Sequence, residues 1–249
     1  MPQVSATTLG KLWLRTASRR QLQGSRVEVG GYDHYVAPLV VGFDLDLTLI
    51  DSRPGIAATY RALTARTGVY IDADAAVTRL GPPLEVELAL WFPVGDVAAA
   101  GDLYRTLYPI EAVTTSPPLP GVTESVHAVR HRGGRVVVIT GKYEPNAHLH
   151  LDHIGVAADA VVGWAWADTK TMAMLDLGVS VYVGDHPADM AAARVAGVAA
   201  VGVLTGSHSA KELVEAGADV VLADLRGFPD WLDERLGDPI SVGLGGLDR

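Results

Sequence analysis

A chain of 249 residues that is 49% hydrophobic and 20% charged has ample material for a buried core and too much apolar content to stay disordered. Its formal net charge of −9 gives no long-range attraction to nucleic acid or an anionic membrane, and no run of eighteen apolar residues marks a membrane span. The lack of cysteine excludes disulfide scaffolds, thiolate metal sites and cysteine nucleophiles, and makes the cytoplasm the expected compartment.

Residues 1–37 read as an N-terminal extension expected to be loosely ordered. Its first 27 residues carry Lys11, Arg15, Arg19, Arg20 and Arg26 and no acid. That composition is shared with organellar transit segments, but a loose tail is the reading adopted, with no function assigned. From residue 38 the pattern changes. "PLVVGFD", "GRVVVITG", "DAVVGW", "VSVYVGD" and "VAAVGVLTG" are short β-branched runs closed by Gly or Asp, as expected of strands buried on both faces. Ala-rich helical stretches lie between them, so the expected fold class is α/β: a doubly wound parallel sheet between two helical layers, with right-handed crossovers.

One long interval interrupts the alternation. "RPGIAATYRALTARTGV", "PLEVELALWF" and "GDVAAAGDLYRTLYPIEAV" have helical periodicity, and "TTSPPLPGV" at 114–122 is dense in proline, as a return hinge would be. Residues 54–117 are therefore expected to form a small helical cap inserted into a core made of 38–53 and 118–236, with 237–249 as a C-terminal tail.

In doubly wound sheets ligands bind at the carboxyl ends of the strands, which places Asp44, Asp46, Thr140 and Asp185 along one rim. Asp44 and Asp46 lie two apart and can converge at a strand end. Like charges held that close call for a cation or a shared proton. Oxygen ligands without cysteine select a hard cation, most simply Mg²⁺. Asp189, one helical turn after Asp185, can join the same site, though it is equally placed to serve the start of a helix. Four carboxylates would repel an anionic substrate, so donors are needed. Thr140 with the following Gly141 backbone, and Lys170 in "WADTK", can supply them. Carboxylates, Mg²⁺, Thr and Lys together describe phosphoryl transfer to an aspartate.

The histidines 148, 150 and 153 do not share one helical face and are expected on an exposed surface. Trp164 and Trp166 are expected to pack at the sheet edge. Arg53, Arg61, Arg66 and Arg79 could reach a leaving group from the insertion, but each is expected to be a solvated helix residue.

"FDLDLTLIDS", "VVVITG", Thr169-Lys170 and "VGDHPAD" resemble, in order, the four motifs of the haloacid dehalogenase-like hydrolases. "RLGPPLEVEL" and "ADVVLADLRGFPDWL" look like segments of the phosphoglycolate-phosphatase-like subgroup, whose helical cap follows the first strand. The resemblance implies a Rossmann-like core and a Mg²⁺-dependent phosphatase acting on a small phosphorylated metabolite, with no nucleic acid or membrane partner and no oligomeric state assigned. It implies Asp44 as the nucleophile and a Mg²⁺ ligand. Asp46 would be the general acid and base, holding the metal through its main-chain carbonyl. Thr140, Gly141 and Lys170 would bind phosphate, Asp185 and Asp189 would bind the metal, and Asp51 would order the turn into the insertion. Leu47 stands where many members have glycine, Thr171 replaces a common proline, and the segment from Lys170 to Asp185 is short, which makes Lys142 a rival to Lys170. A phosphosugar mutase or a catalytically idle binding relative are the alternatives. A dehalogenase is disfavoured, because that chemistry uses no metal and no second aspartate.

Overall fold

A computed structural model describes residues 25–29, 32–36 and 38–237. The chain divides into two units, Met1–Pro38 and Leu39–Arg249. In the first, β1 (Ser25–Val29) pairs antiparallel with β2 (Tyr32–Val36), a ladder that the sequence pattern did not suggest. The remainder of the extension and the tail beyond residue 237 lie outside the described residues.

In the second unit the five expected runs form strands β3 (Val40–Phe43), β4 (Arg135–Ile139), β5 (Ala160–Val162), β6 (Val181–Gly184) and β7 (Ala199–Val203). A sixth, β8 (Val220–Leu222), is not among the expected runs. All pair in parallel, in the order β5-β4-β3-β6-β7-β8. Alternation along the strands divides the core into two layers. Val41, Phe43, Val136 and Val138 face α5 (Val122–His131), α6 (Glu144–His153) and α10 (Phe228–Leu236). Val40, Val137, Ile139 and Tyr182 face α7 (Asp168–Leu177), α8 (Pro187–Ala196) and α9 (Ala210–Ala216). A strand sandwiched this way is apolar at every position, which is why these runs read as continuous rather than alternating.

The strand order reverses at β3, whose neighbours are β4 on one side and β6 on the other. Such a reversal opens a crevice above the carboxyl ends, and Asp44 and Asp185 are the residues that follow β3 and β6. The Asp44 amide donates to the Val183 carbonyl at 2.9 Å and so fixes the two strand ends side by side.

Between β3 and β4 lie α1 (Arg53–Thr67), α2 (Ala73–Ala76), α3 (Leu84–Leu88) and α4 (Val97–Glu111). Leu63, Leu88, Tyr104 and Tyr108 belong to a hydrophobic cluster of their own, separate from both core layers. The outgoing and returning chains run together. Asp51 N–H donates to the Pro117 carbonyl and Leu119 N–H to the Leu49 carbonyl, both at 2.9 Å. Proline at 117 and 118 suits this short ribbon, since each donates nothing and Pro117 need only accept. Among the described residues no helix is long and apolar enough to cross a membrane.

Candidate active site

The loop after β3 closes through three amides, those of Thr48, Leu49 and Ile50, which all donate to the Leu45 carbonyl. So tight a turn forces Leu47 to φ 57°, a left-handed conformation that disfavours any residue with a Cβ. This is the position where the resemblance carries glycine, and burial of the leucine side chain offsets the backbone cost. Asp51 orders the exit as expected: its carboxylate accepts from the Arg53 amide and, twice, from the Arg53 guanidinium.

Asp44, Asp185 and Asp189 converge, with one carboxylate oxygen from each within 4.8 Å of the others. All three are buried. Burial, then mutual repulsion tempered by Lys170, pushes Asp44 up to about 6. Burial, Asp44 and Asp189 drive Asp185 well above the usual carboxylate range. Two glycines permit the crowding. A Cβ on Gly206 would lie 2.0 Å from an Asp185 oxygen, and one on Gly184 would lie 2.4 Å from an Asp189 oxygen. Thr48 Oγ1 donates to the second oxygen of Asp185 at 3.2 Å. Asp189 also completes a capping box with His186 at the start of α8, the helix-start role expected of it.

Lys170, buried in the first turn of α7, has its Nζ 2.5 Å from Asp189 and 3.0 Å from Asp44 Oδ1. Burial opposes its charge, but the two acids hold the ammonium well above its ordinary value. The ammonium therefore stands between the two acids, closer to Asp189 than to Asp44. Thr171 Oγ1 donates to the Ala192 carbonyl and ties α7 to α8 where proline was the expected residue.

Asp46 does not point its carboxylate into this cluster. Its Oδ1 lies 2.9 Å from Lys142 Nζ, and that ammonium also donates to the Tyr108 hydroxyl at 2.6 Å. Burial works against the Asp46 charge, yet Lys142 wins and holds the acid below its usual range. The two lysines therefore have different partners: Lys170 serves the acid cluster and Lys142 serves Asp46. Thr140, which follows β4, is buried, and Gly141 beside it lines the same cavity.

Three expectations are corrected. His150 is fully buried, not exposed: α6 turns it inward, where Nε2 lies 2.9 Å from the Tyr108 hydroxyl, and burial followed by Lys142 lowers it to about 3. His148 and His153 are exposed as expected. Trp164 and Trp166 line the cavity instead of the sheet edge, because the chain after β5 turns over the rim. Arg79 also lines it, whereas Arg53 and Arg61 form exposed pairs with Asp51 and Asp74. Arg105, Tyr60 and Tyr104 line the cavity and had no signal beyond ordinary helical periodicity. The cavity measures ≈ 140 Å³ and has acids at its floor and helices of the insertion as its far wall.

Residues 41–203 match the family model of the haloacid dehalogenase-like hydrolases, and the chain belongs to that family. It is 33% identical over 220 residues to a phosphoglycolate phosphatase of Rhodospirillum rubrum, covering 78% of this chain and 91% of that one. A phosphoglycolate phosphatase of Xylella fastidiosa is 33% identical over 192 residues, covering 69% and 82%. A haloacid dehalogenase-like family hydrolase from Streptococcus pneumoniae has the same fold, with a TM-score of 0.68 at 21% identity, over 78% of this chain and 98% of that one. The chain is a hydrolase of the phosphatase kind.

Proposed function

We propose that the chain hydrolyses a small phosphomonoester through an aspartyl-phosphate on Asp44, with Mg²⁺ as cofactor. The observation that carries this reading is the convergence of three buried acids, Asp44, Asp185 and Asp189, whose oxygens lie within 4.8 Å of one another with the Lys170 ammonium against Asp44 and Asp189. An all-oxygen donor set with raised carboxylates fits a hard divalent cation. Asp44, Asp185 and Asp189 would hold it through carboxylates and Asp46 through its main-chain carbonyl. Bound there, the ion neutralises charge on the phosphoryl oxygens.

In the first half-reaction an Asp44 oxygen forms a bond to phosphorus as the ester P–O bond breaks, and Asp46 gives its proton to the leaving oxygen. In the second, water attacks phosphorus, Asp46 takes its proton, and the bond to Asp44 breaks, releasing phosphate and restoring both carboxylates. Thr140, the Gly141 backbone and Lys170 would hold the phosphoryl oxygens, with Lys170 screening Asp44 as the dianion approaches. The helical insertion would act as a cap that excludes water from the first step.

The test is phosphate release from an aryl phosphate. Turnover should appear with Mg²⁺, vanish in chelator, return on re-addition and stay low with Ca²⁺, which takes more ligands at longer distances. Full turnover in excess chelator would remove the basis of the reading.

A further inference from the structure

We infer that the leaving group this site accepts is an uncharged, hydroxyl-bearing ring, as in a sugar monophosphate, and not a short carboxylate. The inference rests on the phosphatase reading and concerns the half of the cavity away from the aspartates.

That half contains two arginines, and each is committed to an acid. Arg79 donates from Nε and Nη2 to the two oxygens of Glu87 at 3.0 and 2.6 Å, and Trp91 Nε1 fixes the same carboxylate at 2.9 Å. Arg105 pairs with Glu85 and lies 3.5 Å from Asp102, while its guanidinium covers the Trp164 ring at 4.6 Å. Lys142 is matched by Asp46 and Lys170 by Asp44 and Asp189. Among the described residues every lysine and arginine lining the cavity thus stands beside a carboxylate, and the two arginines of the far wall are matched by two glutamates. A carboxylate on the substrate would have to compete with Glu85 for the mostly buried Arg105, or with Glu87 for the more exposed Arg79. That competition would weaken its binding.

Hydroxyl groups fit the same wall without breaking it, because each both donates and accepts and can sit between guanidinium N–H groups and carboxylate oxygens. Trp164 supplies the apolar surface. It is half exposed, held at φ 56° with Arg105 over its ring and Tyr143 packed edge-on at 5.4 Å, so its place in the cavity lining is fixed. An aromatic face with a few placed polar groups is how pockets orient a ring.

The experiment compares kcat/KM, with Mg²⁺, for ribose 5-phosphate, glucose 6-phosphate, 2-phosphoglycolate and p-nitrophenyl phosphate. At least one sugar phosphate should exceed phosphoglycolate by about tenfold or more, the discrimination that one mismatched group commonly supplies. Equal or better use of phosphoglycolate, with p-nitrophenyl phosphate turned over, would overturn the substrate class and leave the phosphatase reading standing. Failure on all four, the aryl ester included, would overturn both. In Glu85→Gln, Arg105 loses its closest counter-charge and keeps only the exposed Asp102 at 3.5 Å, and the ratio of phosphoglycolate to sugar phosphate turnover should rise about fivefold or more. An unchanged ratio would mean that the pairing does not set the choice, and the inference would be wrong.

Discussion

Lys170 and Lys142 bear the same charge in the same cavity, and only their partners distinguish them. Lys170→Ala removes the cation between Asp44 and Asp189, so kcat should fall by about two to three orders of magnitude, as loss of one preorganised stabiliser does elsewhere. Lys142→Ala should cost less in rate but move the rate–pH profile. Without that ammonium Asp46 keeps its proton to higher pH, so the limb on which the proton donor is lost shifts upward. Steady-state profiles of the two variants check this, and a reversed order of rate losses would contradict the assignment of Lys170. Gly206 tests the acid cluster from the other side. Because a Cβ there would sit 2.0 Å from Asp185, Gly206→Ala must displace the carboxylate, and half-saturation with Mg²⁺ should rise about tenfold or more in an activity titration. An unchanged Mg²⁺ requirement would show that Asp185 is not a ligand.

At the scale of elements, the inserted helices hold together through their own cluster, with the Tyr60 and Tyr104 rings packed 5.0 Å apart between α1 and α4. Leu63 is fully buried there, so Leu63→Ala should lower unfolding free energy by about 2–5 kcal/mol, measured from the midpoint of a denaturant titration. A loss under about 1 kcal/mol would mean the insertion is packed far more loosely than its burial shows. The stretches that form α1 and α4 and the proline-rich return were legible because each carries a local period or a local breaker, whereas the middle stretch is helical only over Leu84–Leu88. The acids at 44, 46, 185 and 189 were legible for the same reason, being fixed by position at a strand end or a helix start. His150, Trp164, Trp166 and Arg105 were misread or missed because their surroundings come from elsewhere in the chain. Tyr108 reaches His150 across 42 residues and Lys142 across 34, and no periodicity within α6 encodes what α4 brings.

For the molecule as a whole, the acid cluster ties stability to pH and to metal. Asp44 and Asp185 bind protons in the folded state over a range where the unfolded chain has lost them. Their contribution therefore weakens as pH rises from about 4 through about 6 and beyond. Buried His150 and His186 push the other way, because both are held neutral below their ordinary values, and the raw stability curve mixes the two. The increment from Mg²⁺ separates them. A cation competes with protons at the carboxylates and not at the histidines, so the rise in Tm on adding Mg²⁺ should be larger at pH 7.5 than at pH 5. Thermal scans with and without chelator measure it, and an increment independent of pH would speak against a carboxylate site. The account stands or falls on Asp44 as the atom that takes the phosphoryl group. The most direct measurement is to quench the enzyme in acid during turnover, reduce with borohydride, and map the peptides by mass spectrometry. An acyl-phosphate at Asp44 would appear as homoserine at position 44 and be absent from Asp44→Asn, which should be folded and inactive. Reduction product at another residue, or turnover by Asp44→Asn above about a tenth of the parent rate, would contradict it.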